Sequence, residues 1–250
     1  MSIYKKMVEM AKERANYFCL IDPDKLSVEE GVHTARICED NGADGILVGS
    51  SIMLTNSFEK NLKAIKESVN IPVVIFPGIF NFVSTYADAI LFLSVVSSRN
   101  PQMLIGEQVR AAPQIRECGL EAIGTAYMLI ESGVSTSVNF MSGSLPIPRN
   151  KSDIAVAHAL ASQYLGLKII YLDAGSGALK PVKNEMLSQI RANVDIPIIL
   201  GGGIRTPEVA REKALAGADF IVTGNILEEK LDPGLIKSFA DAIHSVKRND

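Results

Sequence analysis

The chain lacks the features that mark several classes of protein. Its 250 residues include only three cysteines, Cys19, Cys38 and Cys118, far apart and without metal-ligand spacing. No disulfide framework is expected, and a reducing, cytoplasmic setting fits. No apolar run approaches the ~18 residues that a spanning helix needs. Met1 is followed by a charged amphipathic stretch, so no signal peptide is expected. Acids and bases are interspersed around a net charge of −3, with no basic block or stripe. Nucleic acid is therefore not an expected partner. Histidine is scarce too: His33, His158 and His244 all fall in helical patterns. Imidazole or thiolate chemistry is not expected.

Hydrophobic residues make up 47% and charged residues 21%, the balance of a globular chain. A chain of this length suits one (β/α)₈ barrel, here a single domain over 1–250. The pattern supports that fold. A leading helix over 2–15 precedes a strand over 17–21. A helix over 28–41, closed by Gly42, a strand over 45–48 and a helix over 57–68 follow. A strand over 71–76 is separated from the next, over 89–93, by about a dozen residues, which leaves the third helix degenerate. Residues 101–116 read as helix with a break near Pro113, and 121–128 as a strand. A long Ser- and Gly-rich connection over 129–151 suits a functional cover. Ser152 caps a helix to residue 165, a strand follows over 168–172, and a helix over 182–193. Two more strand–helix units and a last helix over 232–247 complete the count. The strand cores are short continuous apolar runs, as expected when both faces are buried. A helix-stop and strand-start signature recurs: Gly42-Ala43-Asp44 before one strand, Gly217-Ala218-Asp219 before another.

Pro197-Ile198-Ile199-Leu200-Gly201-Gly202-Gly203-Ile204-Arg205 reads as a buried strand running into a glycine loop. Phe220-Ile221-Val222-Thr223-Gly224-Asn225 is a second short strand ending in glycine. Such glycines either only make tight turns or leave bare amides for an anion. Two loops, each closing a strand and each leading into a helix, favour a phosphate cradle after the seventh and eighth strands.

In a (β/α)₈ barrel the chemistry sits at the C-terminal strand ends. Those ends carry hydroxyls, glycines, a few cations and carboxylates. Asp22, held extended by Pro23, either makes a turn bond or supplies a hard oxygen to Mg²⁺ beside a serine hydroxyl. Asp173 ends a strand before Gly175-Ser176-Gly177. Its carboxylate is either satisfied by those amides or directed at a substrate hydroxyl.

Taken together, Ile21-Asp22-Pro23-Asp24-Lys25, Val48-Gly49-Ser50-Ser51, Ser98-Arg99-Asn100, Tyr171-Leu172-Asp173-Ala174-Gly175-Ser176-Gly177, Gly201-Gly202-Gly203-Ile204-Arg205 and Gly224-Asn225 resemble the geranylgeranylglyceryl phosphate synthase family, in its branch with a "YLEAGSG" type of loop. The resemblance spans essentially the whole chain. It implies transfer of a prenyl group, geranylgeranyl first among candidates, from its diphosphate to sn-glycerol 1-phosphate, with Mg²⁺, in archaeal-type ether phospholipid synthesis. It implies Mg²⁺ at Asp22 and Ser51. Glycerol phosphate would lie on Tyr171, Leu172, Asp173, Ala174, Gly175, Ser176, Gly177, Gly202, Gly203, Gly224 and Asn225, with Asp173 orienting or deprotonating its hydroxyl. Homo-oligomers are implied as well, and transient membrane contact for product release.

The family carries Glu where this chain has Asp173, and some relatives carry Lys where this chain has Leu20. Arg99 and Lys25 are candidates for the diphosphate. Ile79, Phe80, Phe82, Tyr86, Phe92 and Tyr127 are candidates for lining the prenyl tail. Two rivals stand beside this reading. One is another phosphate-binding barrel enzyme, such as a sugar-phosphate isomerase or cyclase. The other is a regulatory barrel without catalysis.

Overall fold

The structure, a computed structural model, describes residues 2–52, 54–78, 82–229 and 231–248. Among these residues eight parallel strands close into a barrel in sequence order. They are β1 Asn16–Ile21, β2 Gly45–Val48, β3 Val73–Ile75, β4 Ala89–Val95, β5 Glu121–Leu129, β6 Ile169–Asp173, β7 Ile198–Gly201 and β8 Phe220–Thr223. Pairing of β1 with β8, Asn16 opposite Phe220, closes the ring. The helices are α1 Ile3–Glu13, α2 Val28–Asp40, α3 Phe58–Ser68, α4 Glu107–Cys118, α5 Ser137–Ser142, α6 Ser152–Tyr164, α7 Asn184–Arg191, α8 Pro207–Leu215, α9 Asn225–Glu229 and α10 Pro233–His244.

Side-chain alternation divides each strand between two layers. Phe18, Leu47, Leu91, Ile123, Tyr171 and Phe220 fill the barrel interior. Tyr17, Cys19, Ile170, Leu172 and Ile221 face the helices. Helix α1 closes the N-terminal mouth, with Met7 buried in the interior cluster. Its first amides, those of Ile3 and Tyr4, donate to Glu121 at the foot of β5 over 2.6 and 3.1 Å. A carboxylate there meets the positive end of the helix.

The recurring Gly-Ala-Asp signature has a physical purpose. Asp44, just before β2, accepts the Tyr17 amide of β1 at 2.8 Å and pairs with Arg14. Asp219, just before β8, accepts the Ile198 amide of β7 at 2.8 Å and pairs with Arg191 and Arg248. Asp88, just before β4, does the same for Val73 of β3, with Lys66 as its cation. Each aspartate satisfies a strand-start donor that the ladder leaves open. These clamps lie at the N-terminal face, where a barrel keeps its stability rather than its chemistry.

Several sequence expectations are corrected. Residues 82–88 contain no helix, which fits a degenerate third helix; the rest of that link, 79–81, lies outside the described residues. Pro113 sits inside α4 without breaking it. It leaves the carbonyl of Val109 without its helical donor, but Val109 is exposed, so water reaches that stretch. The irregularity comes earlier, as a π-helical turn over Gln102–Gly106. The connection over 129–151 is not all loop, because it carries α5. Lys151, not Ser152, is the residue before α6, and no side chain caps that end.

Candidate active site

The C-terminal mouth of the barrel holds a cavity of about 440 Å³. Its polar lining comes from Asp22, Ser50 and Ser51 in the loops after β1 and β2, Asp173 at the end of β6, Ser176 after it, and Asn225 after β8. Its apolar lining includes Phe76, Leu93, Val95, Met103 and Val138. Helix α5 contributes Ser137, Val138 and Ser142. A smaller cavity of about 180 Å³ opens between the β7 and β8 loops, against Gly202, Gly203, Gly224, Asn225 and Thr223. It shares Gly202, Gly224 and Asn225 with the larger one.

The glycines are required where close approach demands them. Gly202 and Gly203 have φ of 83° and 71°. A Cβ on Gly202 would lie 2.7 Å from the Gly175 nitrogen, and one on Gly203 2.8 Å from the Pro181 nitrogen. The loop after β7 is thus folded onto the segment after β6. Gly224 is different: a Cβ there would make only ordinary contacts, with Leu20 at 3.4 Å, so a side chain fits without displacing its neighbours. Asn225 ties the parts together. Its carboxamide accepts from the Gly177 amide at 3.4 Å and donates to the Ser176 hydroxyl at 3.3 Å.

Asp173 is 8% exposed and lines the large cavity. The first sequence alternative holds: a loop amide satisfies the carboxylate, and a tyrosine hydroxyl joins it. One oxygen accepts the Gly175 amide at 2.7 Å, and the other accepts the Tyr127 hydroxyl at 2.5 Å. Burial pushes its pKa above the usual carboxylate range, against the lowering effect of those two hydrogen bonds. Tyr127, Tyr171 and Phe76 form an aromatic wall beside it, with ring centroids 5.0 Å apart for Phe76–Tyr171 and 5.6 Å for Tyr127–Tyr171. Burial raises both tyrosine pKa values well above normal, so their hydroxyls stay protonated.

On the opposite rim Asp22 accepts from the Ser50 hydroxyl at 2.9 Å and from the Asp24 amide at 3.0 Å. Lys25 lies 3.6 Å from Asp22 and 2.8 Å from Glu228 of α9. Burial opposes the charge of Lys25, yet Glu228 and Asp22 hold its pKa above the ordinary lysine value. Among the described residues no group of three or more His, Cys, Asp or Glu could form a metal cage. The donor set is one carboxylate, Asp22, and the hydroxyls of Ser50 and Ser51. That fits Mg²⁺, which binds through one or two carboxylates and takes its remaining oxygens from water and phosphate.

The structure therefore brings Asp22, Ser51, Tyr171, Asp173, Ser176, Gly202, Gly224 and Asn225 to one cavity, with Gly203 in its annex. Gly175 and Gly177 contribute backbone. Leu172 and Ala174 have their side chains buried in the layer facing the helices, so they can serve the bowl through backbone alone. Arg99 is a correction. It donates to the Ser98 carbonyl and lies 3.3 Å from His158 of α6, outside the cavity lining. Of the expected tail liners among the described residues, only Tyr127 is in the wall. Phe82 and Phe92 pack in the outer layer, Tyr86 lies over Lys63 of α3, and Ile79 and Phe80 fall outside the described residues. His33, His158 and His244 are in helices as expected, His244 paired with Asp44 at the far mouth. Sequence reasoning missed the Tyr127–Asp173 bond, the Lys25–Glu228 pair and Gln108 in the wall. Only the long connection over 129–151 carried a signal, for α5.

A closed parallel barrel with two glycine loops after its last strands, one of them packed beside a buried carboxylate at a half-apolar mouth, defines a (β/α)₈ barrel with its candidate site at the C-terminal strand ends. The model of the PcrB family matches residues 8–244, and the chain belongs to that family. It is 44% identical to the geranylgeranylglyceryl phosphate synthase of Chitinophaga pinensis over 97% of this chain and 96% of that one. It is 42% identical to the enzyme of the same name from Methanosphaera stadtmanae, over 98% and 100% of the two chains. Among solved structures, the (S)-3-O-geranylgeranylglyceryl phosphate synthase of Thermoplasma acidophilum, in complex with its substrate sn-glycerol-1-phosphate, superposes with a TM-score of 0.95 at 34% identity, covering 98% of this chain and 100% of that one.

Proposed function

We propose that the protein forms an ether bond between sn-glycerol 1-phosphate and a prenyl diphosphate, geranylgeranyl diphosphate first, releasing diphosphate, with Mg²⁺, in archaeal-type membrane lipid synthesis. One observation carries the reading: a single cavity joins a glycine-loop annex, a buried carboxylate and an apolar wall. Phosphate, hydroxyl and hydrocarbon each have a matching surface there. The relatives' names support the same substrates.

In this reading the phosphate takes the annex between Gly203 and Gly224, where bare backbone admits an anion. The glycerol hydroxyl points at Asp173. Its oxygen attacks the first prenyl carbon, and the bond from that carbon to the diphosphate oxygen breaks, its electron pair leaving with diphosphate. The hydroxyl proton passes to Asp173, whose raised pKa suits a base. Tyr127 and Gly175 fix the carboxylate's orientation. Phe76, Tyr127 and Tyr171, which line the cavity, would offer aromatic surface to the positive charge that grows on the allylic carbon. Asp22 and Ser51 would hold Mg²⁺, which supplies charge stabilisation for the departing diphosphate. Lys25 adds a second cation on that rim.

No helix among the described residues is long and apolar enough to cross a membrane. The reading places the protein in the cytoplasm as a homo-oligomer that touches membrane only to release product. Exposed Phe140, Leu145, Tyr164 and Leu165 offer apolar surface for either contact. The test is incubation with sn-glycerol 1-phosphate, Mg²⁺ and prenyl diphosphates of several lengths, then extraction into organic solvent. A prenylglyceryl phosphate product is expected; no product at any length, with the protein folded, sinks the reading.

A further inference from the structure

The turn after β1 is joined to the segment after β2 at three successive residues. Asp22 accepts the Ser50 hydroxyl at 2.9 Å. The Pro23 carbonyl accepts from Asn61 of α3 at 3.1 Å and from the Ser57 hydroxyl at 3.2 Å. Asp24 accepts the Leu54 amide at 2.9 Å on one oxygen, and the Thr55 amide and hydroxyl at 2.8 and 2.5 Å on the other. The Thr55 hydroxyl in turn lies 2.6 Å from that of Ser57. Asn61 is 1% exposed and its carboxamide oxygen has no hydrogen-bond partner, so its one visible role is to grip Pro23.

The sequence motif puts two aspartates side by side, and both border the cavity. Their situations differ. Three donors converge on the Asp24 carboxylate, all of them from residues thirty or more positions downstream. An anion that receives three donors is a fastener for the segment that supplies them. Asp22 keeps a face toward the bowl, next to Ser51. We propose that Asp24 is a positioning residue: its carboxylate staples the β2–α3 segment to the β1 turn and so sets the separation of Asp22 and Ser51, the pair that receives the diphosphate and its cation. This rests on the Mg²⁺ and diphosphate reading of Asp22 and Ser51 given above. Two groups on separate loops bind one ligand well only if their spacing is set beforehand, and a shift of about 1 Å can cost on the order of a hundredfold.

The test uses Asp24→Asn, Thr55→Val, the double variant and Asp22→Asn in the full chain. Inorganic diphosphate with Mg²⁺, and separately sn-glycerol 1-phosphate, are titrated calorimetrically, and amide exchange is followed at Leu54 and Thr55. Asp24→Asn is expected to weaken Mg²⁺-diphosphate about tenfold or more, to leave glycerol phosphate within about twofold, and to speed exchange at both amides. Thr55→Val should reproduce part of that loss, and the double variant should be no worse than Asp24→Asn alone. A loss in Asp24→Asn that Thr55→Val does not share, and that adds in the double variant, overturns the proposal, because Asp24 would then touch the ligand itself. Weakening of Asp22→Asn alone, with Asp24→Asn at wild-type affinity, overturns the positioning role and leaves the metal reading standing. Wild-type affinity in both overturns the two together.

Discussion

Replacing Asp173 by asparagine removes a charge and keeps the shape. The amide oxygen can still accept from Gly175, and the amide nitrogen can donate to a Tyr127 hydroxyl turned the other way, so both contacts at 2.7 and 2.5 Å have a substitute. Folding should therefore change by less than about 1 kcal/mol. The sign of the charge effect agrees. Burial raises the pKa of Asp173, so the folded chain holds that proton more tightly than the unfolded chain. Its ionisation costs stability as pH rises from the unfolded value of about 3.9 to the raised folded value, and nothing further above it. Asparagine removes that cost. Turnover should respond quite differently. A positioned carboxylate base contributes on the order of 10²–10⁴ in rate. The Asp173→Asn variant should lose that factor in kcat while KM for glycerol phosphate moves little, since the phosphate is held elsewhere. In the wild type kcat/KM should fall on the acid side with an apparent pKa above about 3.9, and the limb should vanish in the variant. Asp173→Glu should keep substantial turnover and lose part of the Gly175 contact. Steady-state kinetics across pH, beside melting temperatures, decide the matter. An active Asp173→Asn, or a folded but inactive Asp173→Glu, refutes the reasoning.

Three further outcomes are expected. Gly224→Asp should abolish glycerol phosphate binding in a folded protein, because a Cβ there has 3.4 Å of room and only the ligand's place is lost; calorimetric titration checks it, with Gly224→Ala as the mild control. Asp22→Asn should raise the Mg²⁺ needed for half-maximal rate and weaken prenyl diphosphate, leaving glycerol phosphate affinity intact, as kinetics at varied Mg²⁺ would report. Asp219→Ala, at the opposite mouth, removes the carboxylate partner of Arg191 and Arg248 and the acceptor of the Ile198 amide; it should cost about 3 kcal/mol and on the order of 10 °C in melting temperature without altering KM.

The barrel was legible because its signals are local. A buried strand is a short apolar run, a βα turn is a glycine or an aspartate, and the spacing between them leaves one way to close eight strands of a chain this long. The glycine loops after β7 and β8 were legible for the same reason: the freedom to take the left-handed φ used at Gly202 and Gly203 belongs to glycine itself. Pro113 misled because a helix break depends on whether the freed carbonyl finds water. A contiguous motif hides which of its side chains face the bowl: strand alternation sends those of Leu172 and Ala174 to the other layer. Tyr127 meeting Asp173, Lys25 meeting Glu228 and Asp24 meeting Thr55 join residues dozens to hundreds of positions apart. No local pattern encodes such pairs. They exist only because ring closure brings the ends of different strands to one rim, where burial and unspent donors decide which carboxylate binds and which one holds the binding loops in place.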